Sequence, residues 1–140
     1  MAQTRTYHTT AEGVLVRTGA RPSYQAYRIL QVASTVAPIL AGLDKLFNLL
    51  TEWDHYLAPW IVKLSPLGGR GLMMLTGCIE IVAGILVAVK PRIFAPVVGI
   101  WLCLIILNLI SMGWYLDIAL RDLGLALGAF ALGRLAKEFD

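Results

Sequence analysis

Charge is scarce in this sequence. Of its 140 residues only 15% are Asp, Glu, Lys or Arg, where a soluble domain carries about 25%. Cysteine is nearly absent as well: Cys78 and Cys103 are the two it has, both inside apolar stretches and far from any CxxC spacing. They read as small apolar side chains, and a disulfide-rich secreted module is excluded. Histidine is limited to His8 and His55, neither within an apolar run. With no CxxCH either, the chain offers no ligand set for haem b or haem c, and no Cys/His/carboxylate group has the spacing of a metal site. A Gly-X-Y period and sustained heptads are both missing, which excludes collagen-like and coiled-coil repeats. Residues 1–28 are polar and basic with no early apolar core, so no cleavable signal peptide is expected and the first apolar helix would act as its own insertion signal.

What is present is apolar surface. Hydrophobic residues make up 58% of the chain and the mean hydropathy is +0.71. A small soluble globule buries too little of its chain to hide that much, so the composition predicts an all-α integral membrane protein. The net charge of +3 and pI near 9.1 point, in such a chain, to lipid head groups and insertion signals and not to nucleic acid.

Crossing roughly 30 Å of hydrocarbon takes about 20 apolar residues. Four segments fit: about 29–50, 71–89, 93–112 and 116–135. The short links Lys90-Pro91-Arg92 and Gly113–Tyr115 make the last three segments antiparallel neighbours, giving a four-helix bundle over residues 29–137 behind a basic tail at 1–28. Arg5, Arg17, Arg21, Arg28, Lys90, Arg92, Arg134 and Lys137 then share one side, against Lys63 and Arg70 on the other. The positive-inside rule puts that richer side, with both termini, in the cytoplasm. Trp53, Tyr56, Trp60, Trp114 and Tyr115 would form an aromatic belt at the outer surface, with the stretch Thr51–Leu64, broken by Pro59, lying along it. Pro38 should kink the first helix, with Ser34 or Thr35 meeting the freed carbonyl. Gly124 and Gly128 form a GxxxG suited to close backbone approach, within the bundle or between protomers. The Gly68-Gly69-Arg70-Gly71 run reads as a flexible turn, since neither a preceding strand nor a following Lys-Ser/Thr makes it a phosphate loop.

Each predicted helix carries a polar group inside the membrane: Asp44 and Lys45 in the first, Glu80 in the second, Asn108 in the third, Arg121 and Asp122 in the fourth. A charge at mid-membrane costs about 2.5–3.5 kcal/mol on insertion scales, so such residues face inward and pair. The helical rise puts Asp44 roughly 9 Å, Arg121 and Asn108 roughly 6–8 Å and Glu80 roughly 14 Å below the outer surface. One shared polar cluster follows, three carboxylates against two cations. Neighbouring residues point about 100° apart, so one of each adjacent pair should face the core and the other a helix neighbour or the surface. In one reading Arg121 pairs with Glu80 or Asp44 and fixes helix register, which predicts that Arg121→Leu harms the fold more than any outer-loop change. In the other, the cluster binds a quinone head group or another small amphiphile, with Glu80 as the protonatable member. His55 is a further candidate for an outer-surface contact, hydrogen-bonding a quinone carbonyl or passing a proton. No nucleophile–base pair and no metal site is expected.

Three motifs carry a family resemblance. Ala41-Gly42-Leu43-Asp44-Lys45-Leu46 resembles the G-x-D-K signature of DoxX-like membrane proteins. Glu80 followed by Gly84 resembles that family's E-x-x-x-G, and Leu120-Arg121-Asp122-Leu123-Gly124-Leu125-Ala126 its last-helix RDxGLA pattern. The resemblance implies a small four-helix protein of a prokaryotic plasma membrane, with relatives that include subunits of quinone-linked oxidoreductases. It brings no catalytic residues to transfer, since such a family fixes architecture better than function. The expectation is therefore a non-catalytic subunit that anchors or stabilises a redox complex. Its partners would be lipid and other subunits or a second copy, with quinone as the possible cofactor. The alternative is a small-solute transporter or channel acting as a homo-oligomer. Against it stands the lack of an internal repeat or paired interrupted helices.

Overall fold

The computed structural model describes residues 21–140, and among these it contains helices and no strand. The helices are α1 (Pro22–Phe47), α2 (Pro59–Leu64), α3 (Gly68–Val89), α4 (Pro91–Met112) and α5 (Leu116–Phe139), with a 3₁₀ turn at Trp53–Tyr56. Arg5, His8 and Arg17, and with them most of the basic tail, lie outside the described residues.

Local chemistry sets the helix ends. Proline, which needs no N–H partner in a first turn, opens α1, α2 and α4. Pro59 thus starts a helix where the sequence suggested only a break. α1 likewise begins at Pro22, not near residue 29, and runs on through Pro38. The Thr35 hydroxyl is buried without a partner, so it does not supply the compensating hydrogen bond expected there. α1 and α4 stop at Asn48 and Gly113 in the left-handed region, with φ of 51° and 71°, conformations that Asn and Gly tolerate best. α1, α3 and α4 are long and apolar enough to cross a membrane. α5 has the length, but Arg121, Asp122 and Arg134 interrupt its apolar surface and it falls short of that criterion.

The long helices associate as two close pairs, α1 with α3 and α4 with α5, joined less intimately by α1–α5 and α3–α4. Each close pair rests on a stripe of small residues. On α3 the buried positions are Met73, Gly77, Glu80, Gly84 and Val87, spaced four and three apart as a helix–helix seam requires. A Cβ on Gly77 would stand 2.7 Å from the Gly42 carbonyl oxygen, and one on Gly84 equally close to that of Thr35. α5 buries Ala119, Asp122, Ala126, Ala129, Gly133 and Ala136 in the same rhythm, with Gly133 seated on Pro96 and Gly99 on the Phe130 ring. The expected GxxxG behaves differently. Nothing lies within 4 Å of a Cβ placed on Gly124, and Gly128 has only an ordinary contact with Leu30. The alanine seam, not Gly124 and Gly128, brings α5 close to its neighbour, because alanines already allow backbones to approach.

Polarity is inverted relative to a soluble protein. Asp44, Lys45, Glu80 and Asp122 are buried, while Leu40, Val82, Ile100, Leu107 and Leu127 face outward. Lipid tails solvate such apolar faces, and charges avoid them by turning inward.

Candidate functional site

The buried charges gather where α1 ends against α3. Lys45 lies beside Gly77, whose missing side chain leaves room for the lysine stem. From there the lysine reaches one turn further along α3, and its Nζ donates to Glu80 Oε2 at 2.6 Å. The Trp53 ring covers the ammonium at 3.8 Å from its centroid, a cation–π contact strengthened where water is excluded. The Trp53 indole N–H in turn donates to Asp44 Oδ2 at 2.5 Å. Trp53 thereby touches both members of the adjacent Asp44–Lys45 pair, which point to different partners and are both buried.

Asp44 also ends its helix. Its Oδ1 accepts the Leu49 and Leu50 N–H groups at 2.9 and 2.8 Å, while its backbone carbonyl accepts that of Asn48. The carboxylate thus folds the departing chain back over the helix end, supplying acceptors to N–H groups that would otherwise be orphaned near the membrane.

Arg70 works on the same helix end from α3. Its Nη1 donates to the Lys45 carbonyl and to Asn48 Oδ1 at 3.0 and 2.8 Å, and its Nη2 to the Leu46 carbonyl at 2.8 Å. A guanidinium matches these terminal carbonyls in both geometry and charge. The Gly68–Gly71 run is therefore not a free turn. Gly68, at φ 70°, begins α3 and sets Arg70 in its first turn.

Asn108 does not join the charges. Its Oδ1 accepts the Ala58 N–H at 2.9 Å and its Nδ2 donates to the Tyr56 carbonyl at 2.6 Å. It clasps the α1–α3 link against α4, aided by Trp60 Nε1 donating to Ser111 Oγ and by the Tyr56–Tyr115 ring contact at 4.7 Å. Much of the expected aromatic belt is in this way assembled at one end of the molecule.

Arg121 departs from expectation. It pairs with neither Glu80 nor Asp44. Its side chain is 60% exposed and its guanidinium donates to Asp122 Oδ1 at 3.0 Å, its own neighbour in sequence. Asp122 is the inward, buried member of that pair. The Trp101 indole N–H is buried without a hydrogen-bond partner. His55 stands apart, 66% exposed and 3.4 Å from Glu52.

Sequence reasoning thus singled out Asp44, Lys45 and Glu80, and named Trp53 and Arg70 only as a belt residue and an outer cation, not as their partners. Arg70 had no local signal, because it lies 24 residues along the chain from the Leu46 carbonyl that it meets. No family model, curated protein or solved structure matches the chain.

Proposed function

We propose that this chain is a non-catalytic, DoxX-like membrane subunit of a prokaryotic plasma membrane. α1, α3, α4 and α5 form its four-helix membrane bundle with both termini in the cytoplasm, and it anchors or stabilises a quinone-linked redox complex. The observation that carries this reading is the use made of the internal charges. Lys45 is spent on Glu80, Asp44 on the helix end and Trp53, and Asn108 on the backbone of the link. Groups tied to each other and to the main chain favour the scaffold role over the quinone-binding role considered for the same residues. The outward apolar faces of α3, α4 and α5 leave surface for lipid and for partner helices.

Gentle purification from native membranes, followed by intact-complex mass spectrometry and an absorption spectrum, tests this reading. A stoichiometric partner bearing haem, flavin or quinone is the expected result. A pigment-free homo-oligomer would overturn it and turn attention to transport.

A further inference from the structure

The looser of the inter-pair contacts leaves a groove. It runs between α3 and α4 with a volume of about 360 Å³, open on its outer side, and its walls include Cys78, Ile79, Ala83 and Leu86 from α3 and Phe94 and Val97 from α4. The walls are apolar. Between Cys78 and Leu86 the groove follows about 12 Å of helix at 1.5 Å per residue. That is most of the roughly 15 Å belonging to one leaflet of a 30 Å hydrocarbon core.

One end of this groove is charged. Ile79, Ala83 and Leu86 are spaced four and three residues apart, so they share one stripe of α3, and Lys90 follows directly after the helix ends at Val89. The Lys90 N–H donates to the Leu86 carbonyl at 2.8 Å, which fixes Lys90 one turn beyond the groove wall. Lys90 and Arg92 are both exposed, on either side of the buried Pro91 that joins the two walls. No acidic residue occurs between Glu80 and Asp117; Glu138 and Asp140 stand at the same end, at the close of α5, offset there by Arg134 and Lys137. An apolar slot one leaflet deep, with two exposed cations on the short link that joins its walls, matches one amphiphile in both parts.

We propose that the α3–α4 groove is a binding site for an anionic phospholipid, one acyl chain lying along Leu86, Ala83 and Phe94 while the phosphate meets Lys90 and Arg92. The proposal concerns the chain by itself and does not depend on a redox partner. Cation and slot contribute separately: the slot accepts any acyl chain, and the charges select the head group. A basic residue at an anionic membrane surface is worth about 1 kcal/mol, so neutralising both should weaken anionic-lipid binding about thirtyfold.

The test uses the full-length chain, delipidated in detergent and titrated with phosphatidylglycerol or phosphatidylcholine of identical acyl chains, read by native mass spectrometry. The wild-type chain should retain phosphatidylglycerol in preference to phosphatidylcholine. Lys90→Gln/Arg92→Gln should lose that preference, and Lys63→Gln, at the opposite end, should keep it. Ala83→Trp, which fills the slot, should lower the binding of both lipids. Equal retention of the two lipids by wild type would overturn the proposal, whether because the groove is empty or because a second copy of the chain covers it. So would a double glutamine variant that keeps its phosphatidylglycerol. The glutamine variant leaves the helix packing untouched, so it decides the matter even if Ala83→Trp folds poorly.

Discussion

Lys45 and Glu80 meet at 2.6 Å across the α1–α3 seam, with side chains only 6% and 9% exposed. Removing one partner from a buried pair leaves an uncompensated charge and costs about 3–5 kcal/mol, whereas replacing both by apolar groups is far milder. Lys45→Met and Glu80→Leu should each lower unfolding free energy in detergent by that amount, and the double variant should lose much less than their sum. Strict additivity in the cycle would show that the two charges are stabilised independently and that the pair is incidental.

Arg70 and Arg121 reverse the ranking expected from sequence. Arg70 makes three hydrogen bonds to the end of α1, while Arg121 bonds only to its neighbour Asp122 and stays largely exposed. Hydrogen bonds to charged groups are worth about 1.5–3 kcal/mol when sheltered, less at the partial exposure of Arg70, and an exposed pair is worth about 0–1 kcal/mol. Arg70→Met should therefore lower the midpoint of thermal unfolding clearly, and Arg121→Met only slightly. The opposite order would restore Arg121 as a core organiser.

The link between α1 and α3 is held at two points, and each can be released alone. Asp44→Ala frees the Leu49 and Leu50 N–H groups and the Trp53 indole. Asn108→Ala frees the N–H of Ala58, a fully buried residue, and the Tyr56 carbonyl. A buried group orphaned in this way costs about 1–3 kcal/mol, in full at Ala58 and less at the exposed Leu49 and Leu50. Hydrogen exchange should accelerate at Ala58 in the second variant by about fivefold to 150-fold, and at Leu49 and Leu50 in the first variant by a smaller factor. Unchanged protection in both would mean that the link is held by apolar packing instead.

These contrasts show which parts of the molecule a sequence discloses. Long apolar runs made α1, α3 and α4 plain, because hydrophobic length is a local property. Asp44, Lys45 and Glu80 stood out as charges where charges are expensive. Their partners did not, since nothing local says that Lys45 passes Gly77 to reach Glu80 or that Trp53 folds back over both. Asn108 was legible as a polar group inside an apolar run but not as a clasp on main-chain atoms, because the backbone groups of the link carry no residue code. Arg70 was masked by the glycines around it, which resemble a turn until the end of α1 is placed beside them. The Gly124–Gly128 spacing was the reverse case, a familiar pattern with Gly124 open and Gly128 only in ordinary contact with Leu30, while a plain run of alanines made the close approach.

Glycine substitution separates those two kinds of small residue. A Cβ on Gly77 would lie 2.7 Å from the Gly42 carbonyl oxygen and 3.0 Å from the Lys45 Cβ. Backbone cannot yield as a side-chain tip can, so Gly77→Ala must push α1 and α3 apart, and overpacking of this sort costs about 1–3 kcal/mol. It should also loosen the Lys45–Glu80 pair, because the lysine stem passes through the space that Gly77 leaves. Gly124→Ala meets nothing within 4 Å, and alanine in a helix interior gains about 0.5–1 kcal/mol over glycine. Unfolding of the two variants in the same detergent should therefore move in opposite directions. A loss for Gly124→Ala comparable to that for Gly77→Ala would instead place a second copy of the chain against that face of α5, the close approach between protomers for which a GxxxG is suited.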